Sequence, residues 1–157
     1  MLIQTIRTEA GDKENRGTIG LTMLDKEFFV LRQRSSEVDV YDSSKLSFSR
    51  RWNLKELLNP IDIGSCNRNK CVYNFNRRPK GPGQFSEILR VDPHGHVIKK
   101  WPAEDNHGRL SVTGESNVIL TGAVSHTLKE YSPMDSYYEN YICHQMQVLL
   151  FHAVLLN

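Results

Sequence analysis

The side chains of this 157-residue chain that could do chemistry fall into a few groups. Cys66 and Cys71 have four residues between them, the outer limit of zinc-knuckle spacing, and no second Cys pair or His pair follows at a zinc-finger distance. They read as a core cysteine and a turn cysteine flanking a hairpin. His94-Gly95-His96 offers two imidazoles and His107 a third. A His-Gly step where a hairpin turn is expected reads more simply as solvent-exposed turn histidines. There is no Gly-x-Ser-x-Gly nucleophile elbow, and Asp42 and Asp92 suit turn initiation rather than a paired-carboxylate site. The remaining group is basic: Arg77, Arg78 and Lys80, near Arg68 and Lys70, with Tyr73, Phe75 and Phe85 interleaved. Cations can grip a phosphate backbone and rings can stack on bases. The plainer account is a solvated loop kept soluble by its charge. No catalytic residue, cofactor or metal ligand is therefore expected, and the candidate contact residues are Arg77, Arg78, Lys80 and Phe85.

Composition narrows the class without choosing a partner. Lys and Arg total 20 against 18 for Asp and Glu, and a net +2 is too small for the broad positive field of most nucleic-acid binders. The length suits one domain. Three cysteines are too few and odd in number for a disulfide framework, residues 1–7 lack the apolar run of a signal peptide, and no Asn-x-Ser/Thr sequon occurs. A reducing, cytoplasmic setting is expected. The most apolar stretch, Val148 to Leu156, is nine residues interrupted by His152, whereas a membrane-spanning helix needs about 20. No membrane partner is expected.

The elements that must position these residues emerge when the chain is laid against itself. Three units each show strand, turn, strand, loop, strand, turn, strand. The third strands end at Tyr41, Val91 and Tyr131, which are 50 and 40 residues apart, and the fourth at Trp52, Trp101 and Tyr141, 49 and 40 apart. First strands are Ile19 to Met23, Ile61 to Ile63 and Leu110 to Val112. Second strands are Phe28 to Leu31, Cys71 to Phe75 and Val118 to Leu120, rich in the β-branched and aromatic residues that suit a pleated, buried surface. Asp25-Lys26, Asn67-Arg68-Asn69 and Gly114-Glu115-Ser116-Asn117 are chain-reversing turns between them. The middle unit is longer because Arg77-Arg78-Pro79-Lys80-Gly81-Pro82-Gly83-Gln84-Phe85 cannot sustain a strand and reads as an inserted loop.

Four antiparallel strands per roughly 40 residues is the unit of a β-propeller blade. The expectation is an all-β chain of about three such blades, over residues 19–58, 59–107 and 108–143. Residues 1–18 offer one further strand, through Leu2 to Arg7. Residues 144–156 leave the repeat and have helix-compatible composition, so a short C-terminal helix is expected there, with 144–157 as a tail. The units resemble blades of NHL-repeat and YVTN or TolB-like propellers of six or seven blades. Gly83-Gln84-Phe85, the apolar run to Val91, Asp92, the Gly95 turn and Val97-Ile98 are similar to the opening of an NHL repeat. The Gly-His and Trp-Asp signatures of WD repeats are missing.

That resemblance implies a non-catalytic interaction scaffold with a protein partner, the Arg77 to Phe85 loop being the contact surface. An RNA-binding module of NHL type is one alternative, and a fragment of a calcium-dependent propeller hydrolase is another. Propellers need about four to eight blades to close a ring, so three leave apolar faces that invite capping or self-association.

Overall fold

The computed structural model describes residues 17–78, 86–103, 107–122, 128–132 and 144–146. They form three four-stranded antiparallel sheets in chain order. The first holds β1 (Thr18–Leu24), β2 (Glu27–Arg32), β3 (Glu37–Asp42) and β4 (Ser47–Asn53). The second holds β5 (Pro60–Cys66), β6 (Cys71–Asn76), β7 (Ser86–Val91) and β8 (Val97–Ala103). The third holds β9 (His107–Val112), β10 (Val118–Gly122), β11 (Leu128–Tyr131) and β12 (His144–Met146). Neighbours in sequence are neighbours in each sheet, and no strand pairs across sheets. The described residues contain no helix.

Local chemistry closes each hairpin. Asp25, Lys70 and Ser116 adopt positive φ (53°, 46° and 77°) at the three turns between first and second strands. Asp42 and Asp92 cap the turns before β4 and β8. The Asp42 carboxylate accepts from the amides of Ser44 (2.8 Å) and Lys45 (2.9 Å), and that of Asp92 from the amides of His94 (2.8 Å) and His96 (2.9 Å).

Because side chains alternate across a strand, each sheet has two faces to cover. The apolar cores lie between sheets. Phe29, Leu31, Val38, Val40 and Trp52 of the first sheet meet Ile63, Val72, Leu89 and Val91 of the second. Tyr73, Phe75, Ile88 and Trp101, on the opposite face of the second sheet, meet Leu110, Val118 and Leu120 of the third. All six residues of β6 are consequently buried. The two tryptophans occupy matching register, Trp52 opposite Val38 and Trp101 opposite Ile88, and each packs against a ring on its own second strand: Phe29, tilted, at 4.8 Å and Tyr73, edge to face, at 6.0 Å between centroids. Both are inter-sheet core, as their spacing in the sequence implies.

The first strands approach too closely for side chains at two points. A Cβ on Gly20 would lie 2.8 Å from Ile63, and one on Gly64 2.6 Å from Leu110. Gly95, at φ +93°, lies flat on the indole of Trp52, where a Cβ would fall 2.7 Å from the ring. On the face of the first sheet turned away from the second, Val30, Asp39 and Tyr41 are buried, while Leu21 and Met23 of β1 and Phe48 of β4 are exposed. Leu21 holds the register position at which Ile63 and Leu110 pack against the preceding sheet.

One expectation is corrected. The helix read as starting at His144 is not there at its first three residues, because His144–Met146 is β12, antiparallel to β11 with Glu130 opposite His144. Helix propensity is a weak prior, and the unpaired amides and carbonyls along the edge of β11 offer this segment a full set of partners. Residues 147–157, the fourth strand expected to end at Tyr141, the added strand at Leu2 to Arg7 and most of the inserted loop lie outside the described residues.

Substituting Gly64→Val should destabilise the protein by about 1–3 kcal/mol through overpacking against Leu110. Gly114→Ala, in a turn with nothing within 4 Å, should change stability by less than about 0.5 kcal/mol. Urea unfolding of both variants checks this, and equal shifts would contradict close packing between the inner strands.

Candidate binding groove

The three first strands lie side by side, β1 against β5 and β5 against β9. Each carries a β-bulge at its start. The register shifts between Thr18 and Gly20, between Pro60 and Asp62, and opposite Thr121 and Gly122, so Ile19, Ile61 and Gly108 are the extra residues. A bulge leaves its extra residue unpaired in the ladder and re-aims its neighbours. Here all three bulged residues line one open groove of about 630 Å³, with Thr18, Arg109, Thr121 and Gly122 completing the wall.

Arg109 is the one charged side chain in that wall. It is exposed, and among the described residues its guanidinium reaches the Ile19 carbonyl, at a long 3.4 Å. Among the described residues no carboxylate pairs with it. The chemistry on offer is one guanidinium, two threonine hydroxyls, bulged backbone and the apolar flanks of two isoleucines. That combination suits an extended chain carrying an anionic group. At the matching register position in β5 stands Asp62, which is buried and structural. Its carboxylate accepts from the amides of Ile63 and, across the sheet boundary, Leu110, both at 2.9 Å.

Those residues singled out in the sequence that the structure describes are dispersed. Arg78 leaves the end of β6 and pairs with Glu87 at 2.9 Å, while Arg77 donates its amide to the Asn59 carbonyl at 2.9 Å. Lys80 and Phe85 lie outside the described residues. Tyr73 and Phe75 are fully buried in the second core and cannot stack on bases. Lys70 is paired with Asp25 of the neighbouring sheet. Cys66 and Cys71 face each other across the β5–β6 hairpin, both buried. No group of three potential ligands that could hold a metal occurs among the described residues. His94 and His96 are turn residues, the second holding the Asp92 carboxylate through Nδ1 at 3.0 Å. The groove itself was not legible, because a bulge is a property of pairing and Gly108-Arg109 carries no motif.

No protein-family model matches the chain, and no curated protein does. Solved structures do match. KlAtg21, solved in complex with the coiled-coil of AgAtg16, superposes with a TM-score of 0.58 at 13% identity over 82% of this chain and 41% of that one. Hydrazine synthase of Kuenenia stuttgartiensis gives 0.59 at 11% identity over 82% and 36%. A protein of unknown function from Bacteroides caccae gives 0.52 at 11% over 77% and 44%. The first is a β-propeller and the second contains propeller domains. The three sheets are propeller blades. The chain spans less than half the length of each of these neighbours.

The blade turns make acid stability depend on Asp92. Partial burial pushes its carboxyl up, but hydrogen bonds from the His96 backbone and ring and from the His94 amide outweigh this and hold it below the ordinary carboxylate value. A folded value lowered relative to the unfolded one contributes stability that is complete above the unfolded value and is lost as pH falls through the folded one. Asp92→Asn should therefore flatten the acid limb of the stability profile and change little in the slope between pH 6 and 8, read by thermal unfolding across pH.

Proposed function

We propose that this chain is a non-catalytic β-propeller interaction module of the reducing cytoplasm that binds a protein partner, and that the groove along its inner strands takes an extended segment bearing a carboxylate. What supports this most is that groove, to which equivalent bulged positions of all three blades contribute and whose single cation has no carboxylate partner among the described residues. The propeller neighbour that was solved with a coiled-coil is consistent with protein binding as the use of such a surface. An NHL-type lineage remains the finer reading of Gly83 to Ile98. The RNA alternative loses its stacking platform with the burial of Tyr73 and Phe75, and part of its charge with the Arg78–Glu87 pair.

Peptide display against the purified chain is the direct test. Selected peptides should carry Asp or Glu and lose about tenfold or more in affinity to Arg109→Glu, since a reversed charge removes an ion pair and adds repulsion. Indifference of every selected peptide to that change would refute the groove. Salt-dependent binding of single-stranded RNA, lost on changing Arg77, Arg78 and Lys80 to Ala, would put the RNA reading in its place.

A further inference from the structure

We propose that Cys66 and Cys71 form a dithiol that closes into an intra-hairpin disulfide when a small disulfide such as oxidised glutathione reaches it, altering the contact between the second and third blades. The two residues are direct register partners at the last pair of the β5–β6 ladder. Residues directly opposed on an antiparallel pair have Cβ atoms about 4.5–5.5 Å apart. A disulfide needs about 3.5–4.5 Å, so closure asks for an approach of roughly an ångström at a hairpin end. Both thiols are free and both belong to the core between the second and third blades.

What surrounds them ties closure to the blade contact. The Cys66 thiol donates to the Ser116 hydroxyl of the third blade at 3.1 Å, and its sulfur accepts from the Asn69 amide in the turn. Burial pushes the Cys71 thiol up, an effect the Tyr73 hydroxyl and the Arg90 guanidinium only partly offset. Both thiols are buried at rest, and reaction waits on opening of the hairpin end. That end is suited to opening. Residues 67–70 form a largely exposed turn in which Lys70 holds φ 46°, and the exposed Arg68 supplies positive charge toward an anionic oxidant.

The step balances as ordinary thiol–disulfide exchange. One cysteine, as thiolate, attacks a glutathione sulfur, the glutathione S–S bond breaks, and the released thiolate takes up the proton. The second cysteine then attacks the protein–glutathione bond and expels the second glutathione thiolate, which is protonated in turn. Two protein thiols are oxidised to one disulfide and one oxidised glutathione is reduced to two glutathione molecules. Cys66 can then no longer donate to Ser116, so the second and third blades lose that hydrogen bond.

The full chain carrying Cys143→Ser is incubated folded with excess oxidised glutathione, quenched in acid, unfolded and labelled with a maleimide. Labelling should fall from two thiols to none, with a peptide linking Cys66 to Cys71 and no retained glutathione. Cys66→Ser and Cys71→Ser should instead keep glutathione on the surviving thiol. Ser116→Ala, which leaves both thiols in place, should speed closure severalfold by freeing Cys66. Full labelling of both thiols, a persistent glutathione adduct on the two-cysteine protein, or a disulfide between two chains would each overturn the proposal. An unchanged rate in Ser116→Ala would overturn the link to the third blade.

Discussion

Each blade is a sheet with apolar side chains on both faces, and water is a poor neighbour for either face at this density of aromatic and branched residues. The structure answers by laying sheet against sheet, so both apolar cores among the described residues are shared between consecutive blades. The middle blade shows the consequence most plainly. Val72, Leu89 and Val91 belong to one core and Tyr73, Phe75 and Ile88 to the other, which leaves β6 without an exposed residue. The glycines at 20 and 64 follow from the same constraint, because the inner strands must come close enough for the outer portions of the sheets to meet.

Polar groups are spent where that packing needs direction. Asp62 ties the amide of Leu110 to the second blade, Thr22 donates to Ser65 at 2.9 Å between the first and second, and Arg50 reaches from β4 to the Pro93 carbonyl at 2.7 Å. On the face of the first blade turned away from the second, Arg32 and Arg51 both hold Asp39, at 2.7 and 2.6 Å, and Arg32 and Asp39 are almost fully buried. Removing one partner of such a group leaves an uncompensated buried charge, typically at a cost of about 3–5 kcal/mol.

The repeat was legible because two constraints print themselves on sequence. Positions opposite a buried second strand must be large and apolar, which gives Tyr41, Val91 and Tyr131 their matching places. The inter-blade gap near the end of the fourth strand demands a broad ring, which gives Trp52 and Trp101. The turns were legible for their own reason, that Asp, Asn, Ser and Gly tolerate the dihedrals required. What escaped is what pairing alone decides. Bulges at Ile19, Ile61 and Gly108 have no residue signature, so the groove they line was invisible. His144–Met146 looked helical because composition says nothing of an open strand edge a dozen residues away. The basic stretch and its neighbouring rings part in space for the same reason: they are close in sequence, but packing assigns Tyr73 and Phe75 to the core and Arg78 to Glu87, while Lys80 and Phe85 lie outside the described residues.

Amide hydrogen exchange read strand by strand tests the shared-core account most directly. Among the described residues only the middle blade shares an apolar core on both faces, so the amides of Val72 to Phe75 in β6 should be slower than those of β2 and β10, which occupy the same place in blades with one shared core. Exchange in β6 that is as fast as in β2 and β10, or three blades that open independently with equal protection, would contradict it.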